Sequence, residues 1–272
     1  NNLYNQPYEY FINNIQLKDN SMKNNELLIL VFIGNKTGGD EIMNGLIEYR
    51  KIQQFTVGFC FINLELYHTY KKVVTKKFKH HSMYISGEYG NDIIPTMMMY
   101  NDICKKIKFN SIIKLQSKSR LSFLNIALEF LLTKDNNTLN KMLKNENCVG
   151  HPGLIEPLSN DTIYNQDILQ KYKMYFKKSA KYIIGTMFYC KKNTFDMVLK
   201  FMETHEYRSW FVNNMYDTCV INRNNSPAHF IERLFGYLDI NHHDFKDIKN
   251  WLPVEVADGE TIDNKKKTKI NR

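Results

Sequence analysis

Short, wholly apolar runs alternate with longer amphipathic stretches along this chain. Residues 27–34 (LLILVFIG) and 55–62 (FTVGFCFI) are continuous apolar runs of strand length, the pattern of strands buried on both faces. Residues 82–86 and 111–115 predict a third and a fourth, shorter strand. The intervening stretches read as helices. One runs from Asp40, placed as its cap, to about Ile52; the next covers 64–76; a third opens near Pro95 and reaches about Ile107. Residues 35–39 predict a turn and 87–92 a loop. This β-α-β-α-β-α-β order predicts an α/β fold, a mostly parallel central sheet flanked by helices and joined by right-handed crossovers. Ligands of such sheets bind beyond the carboxyl ends of the strands. Those ends are residues 34–36, Asn63, 86–92 and 116–120.

The second half is less regular. Residues 123–132, 138–144, 166–178, 194–203 and 226–238 predict helices, and 149–153 a loop. Residues 182–190 (YIIGTMFYC) read as one strand with an internal glycine, which marks close approach of a ligand or of backbone. Residues 1–25 are polar, with a helix-like stretch near 8–15. No repeat and no Pro- or Ser-rich linker divides the chain. One domain is expected over 1–254, with a nucleotide-type half (27–120) and an acceptor-type half (121–254), followed by a flexible basic tail (255–272).

Composition narrows the partners. Of 272 residues, 43% are hydrophobic and 13% aromatic, enough for a sizeable core. The formal charge is +9, but Lys265, Lys266, Lys267, Lys269 and Arg272 supply five of those nine positives. The remainder, at +4, does not call for a nucleic-acid partner. No apolar run reaches the ~20 residues of a membrane span, and no secretory leader pattern opens the sequence. The chain starts at Asn1 rather than Met, as a fragment of a longer polypeptide would. Cys60, Cys104, Cys148, Cys190 and Cys219 are scattered and odd in number, as expected of reduced thiols in the cytoplasm.

Three segments carry candidate chemistry. Gly90-Asn91-Asp92 follows the third strand; its carboxylate suits a ribose or sugar hydroxyl, and equally suits ordinary turn and capping chemistry. Lys114, Gln116, Lys118 and Arg120 mark the exit of the fourth strand. Cations there can hold a diphosphate, or simply form a solvated basic loop. In residues 226–236 (SPAHFIERLFG), His229, Glu232 and Arg233 stand at i, i+3 and i+4, on one helix face. Gly185 and Thr186 are placed to line a pocket. His80-His81 and His242-His243 are adjacent pairs that point apart, so surface positions are expected for them. No P-loop, dinucleotide-binding glycine pattern, nucleophile elbow or zinc-protease motif is present.

Taken in order, GNDIIP (90–95), SIIKLQSKSR (111–120), IIGTMFYCKK (183–192) and SPAHFIERLFG (226–236) resemble the rhamnan synthesis protein F family, over roughly residues 27–240. That resemblance implies a GT-A-like glycosyltransferase of polysaccharide or glycan assembly, possessing a nucleotide-diphosphate sugar donor and a glycan or glycoprotein acceptor. It carries Gly90, Asp92 and Pro95 onto the first motif, and Lys114, Leu115 and Lys118 onto the second. Gly185, Thr186, Met187 and Phe188 match the third; Ala228, His229, Glu232, Arg233 and Gly236 match the fourth. The expected roles are donor binding for Gly90, Asn91, Asp92, Lys114, Gln116, Lys118 and Arg120. Gly185, Thr186 and Arg233 would line the acceptor pocket, with Arg233 fixing Glu232, and His229 or Glu232 would be the base. The chain departs from the family at Gln116, where a histidine is usual, and at Ser117, where a threonine is. The acid usual a few positions before Ala228-His229 is missing from 224–226. No Asp-x-Asp motif follows the fourth strand, so donor binding is expected without a metal. Loss of the acid keeps open a second expectation, a non-catalytic sugar- or nucleotide-binding module.

Overall fold

A computed structural model describes residues 15–86, 92–157, 181–203 and 227–237. The protein is α/β, with a mostly parallel central sheet flanked by helices. Strands β1 (Gln16–Asn20), β2 (Leu27–Ile33), β3 (Thr56–Phe61), β4 (His81–Ile85) and β5 (Ser111–Gln116) come from the first half of the chain. Beyond them come β6 (Cys148–Val149), β7 (Ile155–Pro157), β8 (Lys181–Ile183) and β9 (Phe188–Lys191). The main sheet runs β1-β4-β3-β2-β5-β9-β6, and β7 and β8 form a separate pair. β2, β3, β4 and β5 are mutually parallel, whereas β1, β9 and β6 join antiparallel.

The apolar runs dictate this core. Every residue of β2 and β3 is buried, so the sheet is covered on both faces. Helices α1 (Lys36–Tyr49), α2 (Leu64–Lys77) and α3 (Ile93–Ile103) link the parallel strands. α4 (Leu121–Leu132), α5 (Asn136–Leu143), α6 (Lys192–Met202) and α7 (Pro227–Tyr237) follow. Progression from β2 through β3 to β4 runs one way across the sheet, and the step to β5 runs back. Right-handed crossovers therefore set α3 on the face opposite α1 and α2. Consistently, α1 packs on α4, while α3, α6 and α7 pack on one another. No described helix is long and apolar enough to cross a membrane.

Three local expectations are corrected. The cap of α1 is Asn35, whose Oδ1 accepts from Gly38 N–H at 2.8 Å. Asp40 lies inside the helix, paired with Lys36 and with the Tyr70 hydroxyl. The stretch 182–190 is not one strand: Gly185 and Thr186 turn with φ of 78° and 54°, which separates β8 from β9 and sends them to different sheets. His81, expected at the surface, is 4% exposed, with Nδ1 2.7 Å from the Phe78 carbonyl oxygen. The helix-like stretches at 8–15 and 166–178 lie outside the described residues.

Candidate functional site

Strand periodicity builds the site. Alternation along β5 puts Ile112, Lys114 and Gln116 on one face. Lys114 stands in register between Leu30 of β2 and Phe188 of β9, two apolar neighbours. Its side chain is only 1% exposed. A buried ammonium must find acceptors for three N–H groups. They are Asp92 Oδ2 at 2.5 Å, Thr186 Oγ1 at 2.7 Å and the Thr186 carbonyl oxygen at 3.1 Å. Gln116 donates from Nε2 to the Gly185 carbonyl oxygen and, at 2.9 Å, to Thr186 Oγ1. The Thr186 hydroxyl in turn donates to Asp92 Oδ2 at 2.8 Å.

The 185–186 turn is the hub. A left-handed β-branched residue such as Thr186 costs ~1–2 kcal/mol. The bonds from Lys114 and Gln116 to its carbonyl and hydroxyl groups oppose that cost. At Gly185 a Cβ would stand 2.5 Å from Phe123 Cε1, so φ and space both favour glycine. The Gly185 N–H donates to Glu232 Oε1 at 2.8 Å, which ties α7 to the same hub.

The carboxyls of Asp92 and Glu232 are pushed in opposite directions. Burial raises Asp92, but the charges of Lys114 and Lys118 and the bonds from Lys114 and Thr186 outweigh it, and the group stays below its usual range. Burial raises Glu232; Arg233, Lys118 and the Gly185 N–H offset only part of this, and the negative Asp92 adds to it. Burial lowers Lys114, and its attraction to Asp92 restores only part.

The structure thus brings Asp92, Lys114, Gln116, Gly185, Thr186 and Glu232 together. Lys118, half-buried, passes beside the turn, its Cε 3.5 Å from where a Gly185 Cβ would stand. Arg120 stands exposed at the head of α4, and no described contact joins it to the cluster. The charge of Arg233 acts on Glu232, where it offsets part of the effect of burial. Its guanidinium donates to the His229 carbonyl oxygen at 2.9 Å and lies 4.8 Å over the Tyr182 ring. His229 is half-buried on α7. Gly90, Asn91, the 224–226 stretch and His242-His243 lie outside the described residues. Among the described residues no three His, Cys, Asp or Glu side chains converge as a metal site requires.

Two features escaped the sequence reading. Ser117 Oγ accepts from Gly34 N at 2.7 Å, Asn35 N at 3.2 Å and Asn35 Nδ2 at 3.3 Å. This latch ties the segment after β2 to the segment after β5, where strand order reverses; a Gly38 Cβ would stand 2.7 Å from Lys118 N. Gly236 lets α7 lie against β8, since a Cβ there would stand 2.1 Å from the Lys181 carbonyl oxygen. The glycine within a helical apolar pattern was the available signal. Comparison of the chain with protein-family models, characterised proteins and solved structures found no match in any of them.

Proposed function

We propose that this chain is a glycosyltransferase domain with a GT-A-like nucleotide-sugar sandwich, moving a sugar from a nucleotide-diphosphate donor to a glycan hydroxyl. The observation that carries the reading is the convergence of Asp92, Glu232 and the 185–186 turn around one buried cation near the carboxyl edge of the sheet. Transfer makes two demands. The acceptor hydroxyl must give up a proton, and the departing diphosphate gains charge. Glu232, raised towards neutrality, is suited to take the proton. Asp92 keeps 12% of its side chain exposed, enough to accept from a donor sugar or ribose hydroxyl. Lys118, which passes beside the turn, would meet the diphosphate, with the exposed Arg120 at the head of α4 as a second cation. Lys114 is a positioning residue: it fixes Asp92 and the 185–186 turn.

A second reading, a sugar- or nucleotide-binding module without turnover, has its own observation. All three Lys114 donors and both Gln116 donors are already used inside the protein. Thermal unfolding against UDP-, GDP- and dTDP-sugars, with and without Mn²⁺, followed by a transfer assay, separates the two. A donor at ~100 times its Kd stabilises the fold by about 2.7 kcal/mol, a shift of several degrees. A selective shift with transfer supports the first reading; a shift without transfer under either condition supports the second. Absence of any shift in folded protein overturns both.

A further inference from the structure

The amino edge of the sheet, opposite the cluster, holds a cleft of about 660 Å³. Its walls are the segments entering β2, β3 and β4: Lys23, Arg50, Lys51, Lys77, Lys79 and His80 are among its lining residues, and no Asp or Glu is. Two of the cations have internal work. Arg50 Nη1 donates to the Lys77 carbonyl oxygen at 2.7 Å, covering the carboxyl end of α2, and Lys51 pairs with Glu48 at 2.5 Å. Basic residues at helix ends are ordinary for that reason. Lys23, Lys77 and Lys79 are different: none of them pairs with a carboxylate among the described residues. A concave wall of one sign, over the buried apolar floor of Phe55 and Phe78, concentrates the field and draws counter-ions inward. Side-chain amides of Asn24, Asn25, Gln53 and Gln54 add hydrogen-bonding groups. The volume falls within the ~300–1,000 Å³ of small-ligand sites.

We infer that this cleft is an anion site for a phosphate-bearing ligand, with Lys23, Lys77 and Lys79 as its phosphate contacts. It is independent of the cluster around Lys114, on the other edge of the sheet.

Calorimetry at low salt tests it with two probes: sodium pyrophosphate, and phosphatidylcholine vesicles containing phosphatidic acid. Binding of at least one probe is expected, and which one binds identifies a soluble or a lipid source. Each lost cation should weaken binding about tenfold, so Lys77→Ala weakens it and Lys77→Ala/Lys79→Ala weakens it further. Lys77→Arg should retain most of the affinity, and added salt should reduce it. These side chains reach solvent, so the variants should melt within about a degree or two of the parent. Failure of both probes to bind overturns the inference. So does binding that survives Lys23→Ala/Lys77→Ala/Lys79→Ala, or that is lost instead when Lys265, Lys266, Lys267 and Lys269 are changed to Ala. Neither result bears on donor binding at the carboxyl edge.

Discussion

The Lys114 ammonium lies 2.5 Å from the Asp92 carboxylate, with 1% of one side chain and 12% of the other exposed. Little water reaches either charge, so each depends on its partner. Lys114→Met should therefore cost about 3 kcal/mol, the lower end for breaking a buried pair, because Asp92 keeps some solvent. Lys114→Met/Asp92→Asn should recover part of that loss. Urea denaturation of the single and double variants measures it. A double variant no more stable than Lys114→Met would show that the pair is not coupled.

Gly185→Ala should destabilise by ~2 kcal/mol or more, combining left-handed backbone strain with displacement of Phe123. In a Phe123→Ala background the same change should cost only the backbone part, about 1 kcal/mol. Equal costs in the two backgrounds, read from denaturation midpoints, would remove Phe123 from the explanation.

The divergent carboxyls give opposite pH signatures. The folded state holds the Glu232 proton more tightly than the unfolded chain does. Its contribution is fully present below the ordinary value of 4.5 and is lost as pH rises through the folded value. Asp92 is the reverse: its contribution is present above 3.8 and is lost as pH falls through the folded value. Glu232→Gln should flatten the stability profile above 4.5, and Asp92→Asn should flatten it below 3.8. Melts from acid to neutral pH check both; variant profiles parallel to the parent's would contradict the assignment.

If Glu232 is the base, Glu232→Gln should keep the donor-induced rise in Tm and lower transfer by ~10²–10⁴. Gln still accepts from the Gly185 N–H, so the turn should survive the change. Unchanged turnover would remove Glu232 from that role and leave His229 as the next group to vary.

Much of the fold was legible because β2 and β3 are apolar at nearly every position, and Val, Ile and Phe runs of that length have one good solution. β1 was not: Gln16–Asn20 is polar and mostly exposed, and only its pairing with β4 makes it a strand. The break at Gly185-Thr186 was hidden for a related reason. Apolar residues flank it on both sides, and its left-handed backbone is specified by Lys114 and Gln116, some 70 residues earlier. The members of the cluster were legible one by one. Their pairing was not, since Asp92 meets Thr186 across 94 residues. The guanidinium of Arg233 also lies over the Tyr182 ring, a contact between elements that helical spacing alone does not predict.

The place of β9 in the sheet bears on the order in which the chain can assemble. The parallel strands β2 to β5 are complete once residue 116 has emerged, yet one edge of β5 stays open until Phe188–Lys191 arrive to pair with it. Until then Lys114 lacks Thr186, and the strand that carries it offers unpaired backbone to any other chain nearby. Closure of that edge and completion of the hydrogen bonds to the buried cation are a single late event, so a nascent chain held short of residue 186 keeps an open strand edge through which it can aggregate.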